Sequence, residues 1–214
     1  MAAQGSVESD RLSRIEPAFQ IVLVCTGNRF RSPIAEAVLR ELGNGLPLDL
    51  QSYGTRDVGT AAPLIEAFEA ARTHGLDLSA HRARPLTGAD LSGADLVLGF
   101  ERTHIATAVV DAGAPPALSF LLPELAELLP SVARPAHFGT VAAAREIVSR
   151  AAQLRATSAG RESEHEMRDP LGGPPRGFSE SAARIEELCM RLLRGLFGRG
   201  EQPVAVAAAP RRSS

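Results

Sequence analysis

A short apolar run, Phe19-Gln20-Ile21-Val22-Leu23-Val24, ends on Cys25, turns through Gly27-Asn28 and reaches Arg31-Ser32-Pro33 at the start of a helical pattern. No other stretch constrains the fold as tightly. The run has the signature of a strand buried on both faces. The helical pattern places Ile34, Val38 and Leu42 on one face, with Pro33 in the first turn and Gly43 as the stop. A strand, a glycine-bearing turn and a helix N-terminus laid end to end open a parallel α/β unit. The alternation continues. Leu48 to Tyr53 predicts a second strand closed by Gly54, Ala62 to His74 a helix, and Asp95 to Phe100 a third strand with a helix after Arg102. Pro116 to Phe120 predicts a shorter fourth strand, followed by helical stretches near Leu121 to Leu129 and over Thr140 to Ala156. The segment Asp169 to Gly177 holds too many prolines and glycines for helix or strand. Ser179 then reads as the cap of a final helix whose apolar stripe is Ile185, Leu188, Cys189, Leu192, Leu193 and Leu196. The expected fold is a single three-layer α/β domain over residues 20–197, with a four-stranded parallel sheet, helices on both faces and an insertion within 111–166. Polar and Pro/Ala-rich ends, residues 1–19 and 198–214, read as disordered tails.

Charge and cysteine usage remove whole classes of function. All 23 basic residues are arginine, so lysine Schiff-base chemistry and a nucleotide loop built on lysine are excluded. Any bound phosphate is held by arginine or backbone. A net charge of -2 leaves no basic surplus for nucleic-acid binding. No apolar run approaches the roughly 18 residues of a membrane span, and charges occupy the first 19 residues where a signal peptide needs an apolar core. Two cysteines, Cys25 and Cys189, cannot form a disulfide framework or a zinc knuckle. The expectation is a reduced cytoplasmic monomer without metal or cofactor.

Cys25 and Arg31, with five residues between them, frame a loop whose backbone N–H groups converge on one point, which suits an oxyanion such as phosphate. The positive field of a helix N-terminus favours the thiolate, the nucleophilic form of cysteine. Arg31 can grip two phosphoryl oxygens with its planar fork, and Ser32 can donate its hydroxyl to the sulfur as it leaves. Thr26, Gly27, Asn28, Arg29, Phe30, Arg31 and Ser32 are therefore the candidate phosphate-binding residues. The plain alternatives are a packed core cysteine at a strand end and, for Asp169, an ordinary turn aspartate before proline. His74, His104, His137 and His165 have no partner spacing and read as structural or solvated, and Cys189 reads as a core thiol.

The run V-C-T-G-N-R-F-R-S-P-I-A-E resembles the phosphate-binding signature of the low-molecular-weight protein tyrosine phosphatases, which place it after the first strand. Ser52-Tyr53-Gly54-Thr55, the Leu76 to Arg84 segment and Asp169-Pro170 resemble later family segments in the same order. The resemblance implies hydrolysis of a phosphomonoester on a protein or small molecule, releasing inorganic phosphate. Cys25 would form a phosphocysteine, Arg31 would hold the phosphoryl group, and Asp169 would act first as general acid and then as base. It also implies that Asn28 takes a left-handed backbone conformation and that Asn28, Ser32, Ser52 and His81 support the loop. Three departures concern the substrate. Phe30 stands where many members carry a second cysteine, and Arg29 stands where tyrosine phosphatases carry an aliphatic residue and arginine phosphatases a threonine. Leu171-Gly172, the third, replaces aromatic residues after Asp-Pro. Separately, 143 residues lie between Cys25 and Asp169, more than the fold ordinarily needs. The alternatives are a protein-arginine phosphatase, an arsenate reductase-like enzyme and a non-catalytic phosphate-binding module.

Overall fold

The computed structural model describes residues 17–157 and 165–199. Four parallel strands form its sheet: β1 (Phe19–Cys25), β2 (Leu48–Gly54), β3 (Leu96–Gly99) and β4 (Ser119–Leu121), in the order β2-β1-β3-β4. The helices are α1 (Arg31–Leu42), α2 (Ile65–Thr73), α3 (Arg102–Ala112), α4 (Leu122–Leu128), α5 (Val141–Thr157) and α6 (Arg176–Phe197). β1 pairs on both sides, with Cys25 opposite Gly54 of β2 and Val24 opposite Gly99 of β3. That register brings the C-terminal ends of the strands to one edge, where α/β sheets open their ligand crevices.

Alternation along the central strands divides the core. Ile21, Leu23, Leu96 and Leu98 face a large cluster that includes buried residues of α1, α2, α4, α5 and α6. Val22, Val24 and Val97 face the other way, onto Ala108 and Ala112 of α3 and onto Leu86, Leu91 and Ala94. Both faces are covered, which is why β1 reads as a continuous apolar run. All six stripe residues of the final helix are buried, and α6 packs chiefly on α1.

The structure shifts three expected boundaries. Pro116–Leu118 is a 3₁₀ turn, so β4 begins only at Ser119. α2 starts at Ile65, because the chain before it stays extended to bond the loop after β1, with Leu64 N–H on the Arg29 carbonyl at 3.0 Å. Ser179 is not a cap. The last helix begins at Arg176, directly after two prolines whose fixed φ suits a helix start, and the Ser179 hydroxyl bonds back to the Arg176 carbonyl. The expected tails lie outside the described residues, apart from residues 17–19 and 198–199.

Candidate active site

The loop between β1 and α1 folds over its own cysteine. The Asn28 backbone N–H donates to Cys25 Sγ at 3.2 Å, and the Ser32 hydroxyl donates to the same sulfur at 3.0 Å. Asn28 is the one described non-glycine residue with positive φ, at 50°, a conformation asparagine tolerates better than most. Four further contacts hold it there. Its side-chain amide donates to Ser32 Oγ (2.9 Å) and Ser52 Oγ (2.8 Å), its Oδ1 accepts the Arg84 backbone N–H (2.9 Å), and its carbonyl lies 2.9 Å from His81 Nε2. Because a backbone N–H can only donate, the Arg84 contact fixes which end of the amide is oxygen. Ser52 in turn donates to Glu36 of α1, which is paired with Arg40.

Backbone pairing delivers these supports. Gly54 N–H donates to the Arg84 carbonyl and Leu86 N–H to the Gly54 carbonyl, so the His81 to Leu86 segment runs along the end of β2. Gly54 has to be glycine. A Cβ there would lie 2.9 Å from the Gly27 carbonyl carbon and 3.0 Å from the Asn28 nitrogen, inside contact distance of rigid backbone.

Arg31 is 1% exposed and is held at both ends of its fork. Nη1 donates to Glu101 and to the Met167 carbonyl (2.8 Å); Nη2 donates to Thr26 Oγ1 (3.1 Å) and Asp169 Oδ2 (2.6 Å). Met167 N–H donates to the Phe100 carbonyl and Arg102 N–H to Glu166, which pins the loop that carries Asp169 to the start of α3. His104 enters the site, contrary to its reading as structural or solvated. Its Nδ1 accepts the backbone N–H groups of Phe100 and Glu101, so the proton sits on Nε2 and donates to Thr26 Oγ1 at 3.1 Å. Burial, with the Arg31 charge beside it, pushes the His104 pKa down to about 4.

Cys25, Asn28, Arg31, Ser32, Ser52, His81 and Asp169 thus converge at the C-terminal edge of β1. Two loop side chains are held by other segments: Phe30 packs edge-on against Phe178 of α6 at 5.0 Å, and Arg29 Nε donates to the Ala62 carbonyl before α2 at 2.8 Å. Cys189 is fully buried, and burial pushes its thiol pKa up. His74 pairs with Glu186 and His165 with Glu127, both away from the cradle. Sequence reasoning gave no role to Glu101, His104 or the Met167 carbonyl, and reached Glu36 and Arg84 only as members of the family segments. Glu101 carried the clearest signal, since it comes just after the end of β3 on the same sheet edge as Cys25. Among the described residues, no group of three or more His, Cys, Asp or Glu side chains converges as for a metal ion, and no helix is long and apolar enough to cross a membrane.

Residues 20–115 match the family described as low molecular weight phosphotyrosine protein phosphatase. A probable low molecular weight protein-tyrosine-phosphatase, EpsP, of Ralstonia nicotianae is 42% identical over 78 residues, 36% of this chain and 52% of that protein. The protein-arginine-phosphatase of Bacillus subtilis is 38% identical over 86 residues, 39% of this chain and 57% of its own. The chain therefore spans little more than half the length of the curated relatives it matches. In fold it is similar to the low molecular weight protein tyrosine phosphatase of T. tengcongensis, with a TM-score of 0.61 and 24% identity over 84% of this chain and 100% of that one.

Proposed function

We infer the activity from one premise: over residues 20–115 this chain belongs to the low molecular weight phosphotyrosine protein phosphatase family. It is a cysteine-dependent phosphatase that hydrolyses phosphomonoesters, protein phosphotyrosine first among them, acting in the cytoplasm and needing no metal or cofactor. One observation carries this reading. A sulfur with two hydrogen bonds donated to it and a buried guanidinium with an aspartate on it belong to a single seven-residue turn of chain and its facing loop.

Cys25 Sγ attacks phosphorus in line, and the S–P bond forms as the P–O bond breaks. Asp169 gives a proton to the departing oxygen. Water then attacks the phosphocysteine while Asp169 takes its proton, phosphate leaves, and the thiolate returns to the Asn28 N–H and Ser32 hydroxyl. A phosphoryl dianion entering the cradle replaces the Asp169 carboxylate on Arg31, and the freed carboxylate takes up a proton from water, which it then gives to the leaving oxygen. Glu101 and the Met167 carbonyl keep the guanidinium in place during the exchange. The extra chain before Asp169 is assigned to a stretch within residues 111–166, around α4 and α5, all but its first five residues beyond the family match.

Phosphotyrosine is favoured over phosphoarginine by Arg29, whose fixed charge at the loop repels a substrate guanidinium, and by Leu171, 63% exposed two residues after Asp169, where it can meet an aromatic ring. The test is p-nitrophenyl phosphate hydrolysis by the full chain and its Cys25→Ser variant, followed by peptides carrying phosphotyrosine, phosphoarginine or phosphoserine. Turnover lost in Cys25→Ser and fastest with phosphotyrosine is expected. Unchanged turnover in the variant overturns the assignment, and a preference for phosphoarginine overturns the substrate.

A further inference from the structure

Arg29 belongs to the phosphate loop, yet its side chain does not help to hold the nucleophile. Its Nε donates to the Ala62 carbonyl at 2.8 Å, and its own carbonyl accepts the Leu64 N–H at 3.0 Å. Both ends of the residue are clipped to the extended segment before α2. A guanidinium held through Nε has lost its freedom already, while the two terminal nitrogens of this half-buried residue make no hydrogen bond or ion pair among the described residues. Four donors are thus preorganised beside a site built for anions.

No acidic side chain among the described residues pairs with that cation. Asp57 accepts the Gly59 N–H, Glu166 accepts the Arg102 N–H, and Glu101 and Asp169 both sit on Arg31. Two further arginines border the cradle. Arg56, exposed, has its backbone N–H on the Thr26 carbonyl at 2.8 Å, and Arg168, exposed, adjoins Asp169. Neither has an acidic partner among the described residues. Tyr53, the single tyrosine, offers no apolar wall, since its ring is covered by Arg84 at 4.8 Å and its hydroxyl bonds Gln51.

We propose that Arg29 forms a second anion subsite beside the phosphate cradle and selects phosphotyrosyl peptides with an acidic residue next to the phosphotyrosine. The proposal rests on the phosphatase reading above and names its substrate class. Arginines on three separate segments, all reaching solvent, suit an extended acidic peptide better than one compact bisphosphate.

Binding to the Cys25→Ser protein isolates this subsite from the chemistry. Two phosphotyrosyl peptides are compared by calorimetry, one flanked on both sides by aspartate and one by the isosteric asparagine. The aspartate peptide should bind about tenfold more tightly at low salt, as one charge-assisted contact would give, and the ratio should shrink as salt is raised. In Cys25→Ser/Arg29→Gln it should fall to near one, and in Cys25→Ser/Arg56→Gln by about twofold, as expected of a rim charge. A ratio of one in Cys25→Ser, or a ratio that survives Arg29→Gln, overturns the subsite. Turnover of p-nitrophenyl phosphate by the unsubstituted chain separates the two readings: a ratio of one with turnover sinks only the subsite, and absence of turnover sinks both.

Discussion

Both Nη nitrogens of Arg31 are engaged, Nη1 by Glu101 and Met167 and Nη2 by Thr26 and Asp169, so a phosphoryl group can gain a two-pronged hold only by displacing one partner. Asp169 is the replaceable one, since it is a third exposed and sits on a loop, whereas Glu101 caps the start of α3. In the proposed reaction this exchange would couple substrate binding to release of the acid. Asp169→Asn should therefore lower kcat about 10²-fold for leaving groups of high pKa and far less for p-nitrophenol, which hardly needs a proton. A leaving-group series measured at saturation checks this, and equal losses across it would remove Asp169 from the acid role. His104 yields a prediction on stability. Its native pKa near 4 lies below the ordinary 6.5, so between those values the unfolded chain binds the extra proton and stability falls as pH falls. The loss begins below pH 6.5, is complete near pH 4 and amounts to at most about 3 kcal/mol. Urea unfolding from pH 7 to 4.5 should show a shallower decline for His104→Gln than for the unsubstituted chain. Parallel declines would mean that folding does not hinder protonation of His104 and that these amide contacts add no pH dependence.

The phosphate loop and the acid-bearing loop are tied together by α6, because Phe30 in the first packs edge-on against Phe178, two residues into the helix that succeeds the second. Phe30 is 3% exposed, so Phe30→Ala should cost about 3 kcal/mol in chemical denaturation and Phe30→Leu clearly less. A cost under about 1 kcal/mol would show that the loop does not depend on this helix. Periodicity made most elements legible: β1, α1, β2 and the α6 stripe stand where their apolar patterns put them. Boundaries were lost where a long-range partner decides them. Ala62 to Leu64 has helical spacing but stays extended because its backbone serves Arg29. The candidate site divides the same way. Cys25, Asn28, Arg31 and Ser32 lie within one short stretch and could be read together, and Ser52, His81 and Asp169 were reached through the family pattern. Arg84 acts through a backbone N–H as well as its side chain, Met167 through its backbone alone, and His104 through a hydroxyl 78 positions away, so none left a residue-type signature.

Across the whole molecule, two thiols share one core and meet different fates. Cys25 is 2% exposed and sits under the phosphate loop, so an oxidant reaches its sulfur only through the cradle. Peroxide attacked by that sulfur leaves a sulfenic acid and releases hydroxide, and recovery inside the molecule would need a second thiolate to displace water from it. The position that would carry such a thiol in many relatives is Phe30. Cys189 is the other cysteine, fully buried in α6 with its sulfur 4.0 Å from the Ala35 carbonyl in the second turn of α1. Burial holds Cys189 in the thiol form, which is a poor nucleophile, and it has no path to Cys25 without parting α6 from α1. Peroxide should therefore inactivate the protein without forming an intramolecular disulfide, and an external thiol should restore activity only if added before further oxidation. Inorganic phosphate, by filling the cradle, should slow the inactivation. Mass spectrometry of peroxide-treated protein under non-reducing conditions reads the outcome directly: a Cys25 to Cys189 linkage in the monomer would show that α6 opens away from α1 on the timescale of oxidation, and inactivation at an unchanged rate in saturating phosphate would show that peroxide reaches the sulfur by another route.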